Sequence, residues 1–214
     1  ALYTPDFDRH GWHNSHTVLD IVTDDMPFLV DSVTQAIYRH GLTIHHIMHP
    51  LLGIERDAKG ALVKTHERGA AGSHTESWIH IEFDRISDPA QVDALRQDVE
   101  AVLADVRATV EDAEPMRQRI QDAIASLQGT TDHAEISDFL KWVADGNFVF
   151  LGYAHYTVAP GASELKREAT GGHGLLRRND HPRFGNCLAD IPGDIAALDA
   201  LPSPLTLIKA DGHS

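Results

Sequence analysis

The sequence predicts an α+β fold in which helices cover one face of an antiparallel sheet. Hydrophobic residues make up 42% of the 214 residues and charged residues 23%, which is typical of globular domains. The first half of the chain alternates β-branched segments with segments of helical periodicity, and both kinds carry one apolar face. No apolar run approaches the roughly 20 residues of a membrane span. We therefore expect a globular protein rather than a disordered, fibrous or membrane-spanning one.

The first strand and helix are predicted from composition and spacing. Residues 16–22 are rich in β-branched side chains and alternate imperfectly between apolar and polar residues, as in a mostly buried strand. Asp24 or Asp25 is then expected to cap a helix that has Pro27 in its first turn, where a missing N–H costs nothing. Apolar residues recur at helical spacing through residues 29–37. The pattern therefore predicts a strand followed directly by an amphipathic helix.

Further strands and a second helix follow in the first half. Residues 42–54 return to a β pattern, in which Pro50 indicates an edge position or a bulge. Residues 77–84 alternate between apolar and polar side chains, as one half-buried strand does. A long helix is predicted from Pro89, and Pro115 should break it because proline removes a donor and clashes with the preceding turn.

The order of these elements predicts the topology. Strand, helix, two strands and helix within residues 1–113 fit a ferredoxin-like βαββαβ module. Its last strand is not evident before residue 147. Either the second half of the chain completes the sheet, or the long helices intervene and residues 148–158 return to it. Residues 114–146 are predicted as a helical connector and residues 147–214 as a second α+β module. That module is expected to be truncated, since the strand predicted at residues 205–208 has no evident partners.

Charge and cysteine content limit the partners and the compartment. The chain carries 18 Lys and Arg against 32 Asp and Glu, a net charge of −14. Such an acidic chain is a poor match for phosphate backbones or anionic membranes, so neither nucleic acid nor a membrane is an expected partner. The single cysteine, Cys187, excludes an internal disulfide and a cysteine-based metal cluster, and it favours a cytoplasmic location.

The chain lacks the motifs of a catalytic or nucleotide-binding domain. No Gly-x-Gly-x-x-Gly follows a predicted strand, and there is neither a P-loop nor a nucleophile elbow. Residues 171–174 are glycine-rich but follow a polar segment, which predicts a flexible loop. We therefore expect no catalytic residues and no cofactor in this chain.

The 15 histidines raise the question of a metal site. His45 and His49 lie on one face of a predicted strand, about 13 Å apart at 3.3 Å per residue. Metal–nitrogen bonds of about 2.0–2.1 Å cannot join them unaided. A second, loosely spaced group before the first strand comprises His10, His13 and His16. Zinc binding and ordinary surface imidazoles are both compatible with that spacing, and the surface interpretation is favoured because no further ligand is placed to complete a site.

One junction combines groups that suit a small ligand. It lies between the first strand and the first helix and comprises Asp24, Asp25, Met26, Pro27 and Phe28. A helix N-terminus favours a carboxylate, and a neighbouring aspartate favours an ammonium group. Those two groups together describe an amino acid. The alternative is a capping loop that binds no ligand.

Several segments together resemble one protein family. They are residues 16–18, 24–33, 49–50, 76–82, 139–142, 147–153, 174–177 and 207–210. The sequence resembles the N-terminal region of the large bacterial NAD-dependent glutamate dehydrogenases, which oxidatively deaminate L-glutamate to 2-oxoglutarate and ammonium. The resemblance implies that the catalytic Rossmann part lies far C-terminal, and that residues 1–113 and 147–214 are ACT-like regulatory modules. NAD would then be a cofactor of the parent enzyme and not of this chain.

The resemblance also implies partners and a ligand. ACT modules often pair through sheets or helices, which implies a homo-oligomer, and they commonly bind an amino-acid effector at the first strand–helix loop. The typical loop is Asp-x-Pro-Gly; here Asp25 and Pro27 match it, but Phe28 replaces the glycine. A purely structural or assembly role is therefore one alternative. An independent amino-acid-binding regulator, not attached to a dehydrogenase, is another.

Overall fold

The chain divides into two compact units, residues 1–107 and residues 108 onward. The computed structural model describes residues 1–127, 133–158, 165–168, 171–178 and 181. Within these ranges no helix combines the length and the apolar character that crossing a bilayer requires. The predicted division into residues 1–113, 114–146 and 147–214 stays a prediction, and the strand expected at residues 205–208 lies outside the described residues.

The first unit is built on one antiparallel sheet. In chain order its elements are β1 (Leu2–Tyr3), α1 (Phe7–His10), β2 (Thr17–Asp24), α2 (Leu29–Arg39), β3 (Ile44–Met48), β4 (Leu51–Arg56), β5 (Leu62–His66), β6 (His74–Phe83) and α3 (Pro89–Glu111). The sheet order is β1-β2-β6-β4-β5, and β3 also pairs with β6. The predicted α+β class, with an antiparallel sheet and the helices of a ferredoxin-like fold, is confirmed.

The core of this unit is formed by alternating strand residues and helical stripes. On β6, Ile79, Ile81 and Phe83 are at most 2% exposed, whereas the side chains between them remain partly accessible. The buried helical residues are Leu29, Val33, Ala36 and Ile37 on α2, and Leu95, Val99, Val102 and Val106 on α3. The alternation and the helical spacing predicted from the sequence therefore correspond to the buried faces.

The β segment after α2 is divided in two. Strands β3 and β4 both pair with β6, and the chain leaves the sheet between them at His49 and Pro50. The register of β3 also shifts between Ile44 and His46. The irregularity that Pro50 predicts is thus present, because proline cannot donate a hydrogen bond to a ladder.

The strand that completes the sheet comes from the N-terminus. Strand β1 pairs with β2, with Leu2 opposite Leu19 and Tyr3 opposite Val18. The prediction that residues 148–158 return to this sheet is wrong, because the two strands in that segment pair within the second unit. A two-residue strand is too short to show a period in the sequence, so this solution could not be recognised beforehand.

The second unit begins at residue 108, within the last turn of α3, and continues past the break of that helix. Its elements are α4 (Ala113–Ser126), α5 (His133–Trp142), a short helical turn (Val143–Asn147), β7 (Gly152–Tyr153), β8 (Tyr156–Val158), β9 (Leu165–Arg167) and β10 (His173–Gly174). Strand β7 pairs with β10 and β8 with β9. Pro115 lies in the first turn of α4, directly after the break at Asp112, so the predicted break is confirmed.

Asp112 joins this break to the glycine-rich segment. Its carboxylate accepts hydrogen bonds from the Gly174 N–H at 2.7 Å and from Arg177 Nε at 2.6 Å and Nη2 at 2.9 Å. The Arg177 guanidinium lowers the pKa of Asp112 below its ordinary value of 3.8. The prediction of a flexible loop at residues 171–174 is therefore wrong, because His173 and Gly174 form strand β10, which pairs with β7.

Candidate functional site

The junction between β2 and α2 contains the five residues predicted to bind a ligand. Asp24 ends β2, and Phe28 precedes α2 as its N-cap residue. Met26 is half-buried, and Pro27 is exposed at the tip of the loop. The structure therefore brings all five into one short connection, but it directs their side chains to different neighbours.

Asp25 is held against the sheet. Its N–H donates to the Thr75 carbonyl at 3.1 Å, and its Oδ1 accepts from the Ser77 hydroxyl at 2.9 Å. Arg68 lies 3.7 Å from its other oxygen, and the Asp25 side chain is 26% exposed. The carboxylate is thus fixed in place, with one oxygen still facing a cation from the loop before β6.

Phe28 has an unusual backbone conformation. Its φ is +69° and its ψ is 0°, in the left-handed region that favours glycine. The Phe28 carbonyl accepts from the Ser32 N–H at 3.0 Å, and the side chain is 42% exposed. The loop therefore keeps the conformation of a glycine turn, although a phenylalanine occupies the position.

The N-terminus of α2 has no side-chain cap. The prediction that Asp24 or Asp25 caps this helix is wrong, since the N-cap is Phe28 and it makes no capping hydrogen bond. Pro27 also precedes the helix instead of lying in its first turn. The reason is that Asp25 is bound to β6 and Asp24 to α3. The N-cap residue therefore provides no side-chain acceptor for the first N–H groups of α2.

A buried carboxylate on β6 lies near the same end of the sheet. Glu76 is 4% exposed, and Arg56 of β4 binds it with two parallel hydrogen bonds of 2.6 and 2.8 Å. His74 lies 2.8 Å from one oxygen, and the indole N–H of Trp78 donates to the other at 3.1 Å. The Arg56 guanidinium is the main cause that lowers the pKa of Glu76 from 4.5 to about 2.

Asp24 does not contact the N-terminus of α2; its carboxylate lies with the charged side chains near Glu76. Arg107 of α3 binds the Asp24 carboxylate at 3.2 Å and the Thr23 hydroxyl at 3.1 Å. These groups border an open cleft of about 350 Å³. Its lining residues are Val22, Thr23, Asp24, Arg56, His74, Glu76 and Arg107. Asp24 and Asp25 therefore serve different neighbours, as successive residues at the end of a strand do.

The partners of these two aspartates are not evident from the sequence. Ser77, Arg68 and Arg107 lie 52, 43 and 83 residues from the aspartates they contact. The only local signal was that Ser77 and Glu76 lie beside each other on an alternating strand. Contacts of that separation follow from the strand order and not from any spacing in the sequence.

The histidines pair mainly with carboxylates and hydroxyls. His45 Nε2 lies 2.7 Å from Asp84 Oδ1, and His49 Nε2 lies 3.0 Å from the Ser77 hydroxyl. The His16 ring stacks on His45 with 4.2 Å between centroids. Within the part of the chain that the structure describes, no group of three or more His, Cys, Asp or Glu side chains is arranged to hold a metal ion.

Comparison with known proteins gives one consistent result. Residues 1–99 match the family model described as the glutamate dehydrogenase ACT1 domain. The NAD-specific glutamate dehydrogenase of Halomonas elongata is 38% identical over 194 residues, which cover 86% of this chain. Those of Pseudomonas aeruginosa and Mycobacterium tuberculosis are 35% and 26% identical, each over 74% of this chain.

The matched region is a small part of each relative. This chain spans 12% of the length of the Halomonas elongata enzyme and 10% of the other two. The domain match over residues 1–99 contains β2, the loop and α2, which form the candidate site. The chain belongs to the family of NAD-specific glutamate dehydrogenases, and residues 1–99 are its ACT1 domain.

Proposed function

We propose that this chain is a non-catalytic regulatory and assembly segment of an NAD-dependent glutamate dehydrogenase. The parent enzyme would convert L-glutamate, NAD and water into 2-oxoglutarate, ammonium and NADH. One observation carries the proposal: the ACT1 match covers residues 1–99 of a chain whose relatives are named NAD-specific glutamate dehydrogenases. The remaining domains of that enzyme are then its partners, NAD binds among them, and the location is cytoplasmic.

We further propose that an amino-acid effector binds at the β2–α2 loop. The uncapped N-terminus of α2 suits the carboxylate of the ligand, and the partly exposed Asp25 carboxylate suits its ammonium group. Met26, Pro27 and Phe28 would form the apolar side of the site, with Asp24 at its border. Each exposed contact with a helix dipole contributes about 0.3–1 kcal/mol. The expected affinity is therefore weak, about micromolar to millimolar.

Calorimetric titration with aspartate, glutamate and branched-chain amino acids tests this site. We expect Asp25→Ala to weaken binding about five- to tenfold, because the ammonium group loses its partner. Phe28→Gly should strengthen binding, since glycine lets a ligand approach the backbone closely. Asp93→Ala is the matched control, because Asp93 is an exposed aspartate on α3 whose partner is Arg96.

Two results would contradict the proposal. If neither the unaltered chain nor Phe28→Gly binds any of these amino acids, the loop has a structural role instead. NAD-dependent oxidation of glutamate that rises in proportion to the concentration of this chain would show that the segment is itself catalytic.

A further inference from the structure

Two arginines from different elements line the charged cleft at the end of the sheet. Arg56 belongs to β4 and Arg107 to α3, and the cleft between its lining residues has a volume of about 350 Å³. Small-molecule sites typically have volumes of about 300–1,000 Å³. All the lining residues belong to the first unit. One compact unit therefore brings two guanidinium groups to a cleft that is large enough for a small ligand.

The guanidinium of Arg56 is held in one orientation by a buried carboxylate. Its Nε and Nη2 atoms donate to the two oxygens of Glu76, and its Nη1 atom donates to the Gly60 carbonyl at 2.9 Å. An arginine carries five N–H donors, so these three bonds leave two N–H groups without a partner among the described residues. Glu76 therefore orients Arg56 and does not use all of its donors.

Arg107 is held more loosely. It donates to the Asp24 carboxylate at 3.2 Å and to the Thr23 hydroxyl at 3.1 Å. Charge-assisted hydrogen bonds are typically shorter, about 2.7–2.9 Å. The Arg107 side chain is 45% exposed and that of Asp24 is 62% exposed, and exposed pairs of this kind contribute little. An anionic ligand can therefore use the remaining N–H groups of Arg107 or replace Asp24 as its partner.

We propose that this cleft binds a small dicarboxylate, with one carboxylate at Arg56 and the other at Arg107. The planar fork of an arginine matches a carboxylate through two parallel hydrogen bonds. Two such forks favour a ligand with two carboxylates over a ligand with one. Val22, which is 50% exposed and lines the cleft, provides an apolar surface for the carbon atoms between the two carboxylates.

The charges of the cleft determine how strongly such a ligand binds. Arg56 compensates Glu76, and Arg107 compensates Asp24. The whole chain has a net charge of −14, so it does not attract anions in general. A dicarboxylate therefore binds through directed hydrogen bonds and not through a positive field. We expect a weak affinity, about micromolar to millimolar.

This site is separate from the amino-acid site proposed at the β2–α2 loop. Of the five residues in that loop, only Asp24 lines the cleft. Asp24 also has the opposite effect here, because it competes with the ligand for Arg107. The two sites therefore make different predictions for variants of the two neighbouring aspartates.

Calorimetric titration of the 214-residue chain with succinate, glutarate and acetate tests the proposal. We expect at least one of the two dicarboxylates to bind about tenfold or more tightly than acetate, which has a single carboxylate. Arg107→Ala should weaken that binding about fivefold or more, and Arg107→Lys should also weaken it because an ammonium group lacks the fork. Arg96→Ala is the matched control, since Arg96 is an exposed arginine of the same helix that pairs with Asp93 and does not line the cleft.

Two aspartate variants distinguish this site from the loop. Asp24→Asn removes the competing charge and should strengthen dicarboxylate binding about threefold. Asp25→Ala removes the proposed ammonium partner of an amino acid and should leave dicarboxylate binding unchanged. An equal loss in Asp25→Ala and Arg107→Ala would contradict a separate site, because the dicarboxylate would then bind at the β2–α2 loop.

Three further results would overturn the proposal. The first is that neither dicarboxylate binds. The second is equal affinity for acetate and both dicarboxylates, because one guanidinium would then suffice. The third is an equal loss in Arg107→Ala and Arg96→Ala, since binding would then depend only on overall charge. Should the Arg107 variants fail to fold, stronger binding by Asp24→Asn supports the proposal and weaker binding overturns it.

Discussion

At the scale of single residues, Phe28 has a left-handed backbone conformation that is unfavourable for a residue with a bulky side chain. A left-handed backbone costs a residue with a Cβ about 1–2 kcal/mol, whereas glycine adopts it freely. Phe28 adopts it at φ +69° while its side chain stays 42% exposed. The position therefore combines a strained backbone with an aromatic side chain that is only partly buried.

We predict that Phe28→Gly stabilises the first unit relative to Phe28→Ala by about 1 kcal/mol. Both variants remove the same aromatic ring, but only glycine relieves the left-handed conformation. The free energy of unfolding in urea measures the difference. Equal stability of the two variants would show that the Phe28 backbone is not strained.

At the scale of elements, strands β4 and β6 are joined by a buried ion pair. Arg56 extends from β4 to Glu76 on β6 and also donates to the Gly60 carbonyl at 2.9 Å in the turn after β4. Glu76 is 5% exposed at its side chain and Arg56 is 29% exposed. Because the carboxylate is buried, removing its partner leaves a charge without compensation.

We predict that Arg56→Ala destabilises the first unit by about 2–3 kcal/mol, below the 3–5 kcal/mol typical of fully buried pairs because Arg56 is partly exposed. Arg56→Lys keeps the charge but loses the paired geometry, so its effect should be intermediate. Chemical denaturation at pH 7 measures both. A loss below about 0.5 kcal/mol in Arg56→Ala would mean that the pair contributes no more than a surface salt bridge.

The same carboxylate makes stability depend on pH. Folding lowers the pKa of Glu76 from 4.5 to about 2, so the folded state holds the proton less tightly than the unfolded state. This contribution is complete above pH 4.5 and is lost as the pH falls towards 2. We predict that Glu76→Gln flattens the stability profile within this window. An unchanged profile between pH 4.5 and 2 would show that other groups cause the acid sensitivity.

At the scale of the whole molecule, the sheet has edges that suit association. Within the described residues β3 pairs only with β6, and its residues His45–Met48 are exposed. Ile47 is 39% exposed and Met48 is 49% exposed. Unpaired strand edges with apolar side chains recruit further strands. This supports the expectation, implied by the family resemblance, that the chain forms a homo-oligomer.

We predict that the chain self-associates through β3 and that Ile47→Lys weakens this association at least about tenfold. Val63→Lys is the matched control, because Val63 is an exposed residue on β5, which pairs with β4 and not with β3. Sedimentation equilibrium over a range of concentrations measures both. A monomeric chain at high concentration, or an equal effect of the two lysines, would contradict an interface at β3.

The sequence by itself determined the class of fold and the main elements. Period-two alternation along β6 and helical spacing along α2 and α3 identified the buried faces, because each element buries one face of a regular backbone. Proline positions indicated the interruption at Pro50 and the helix break before Pro115, since the missing N–H acts locally. The position of the candidate loop between β2 and α2 followed from the same local signals.

Only the tertiary structure decided which groups meet. It showed that Asp25 binds Ser77, that Asp24 binds Arg107 and that neither caps α2. It also placed the two-residue strand β1 where the sequence pattern led us to expect a strand from the second half. These contacts join residues 15 to 83 positions apart. A periodic pattern in the sequence shows only which face of an element is buried. The choice of partner across such distances depends on strand order and register, which form when the whole sheet assembles.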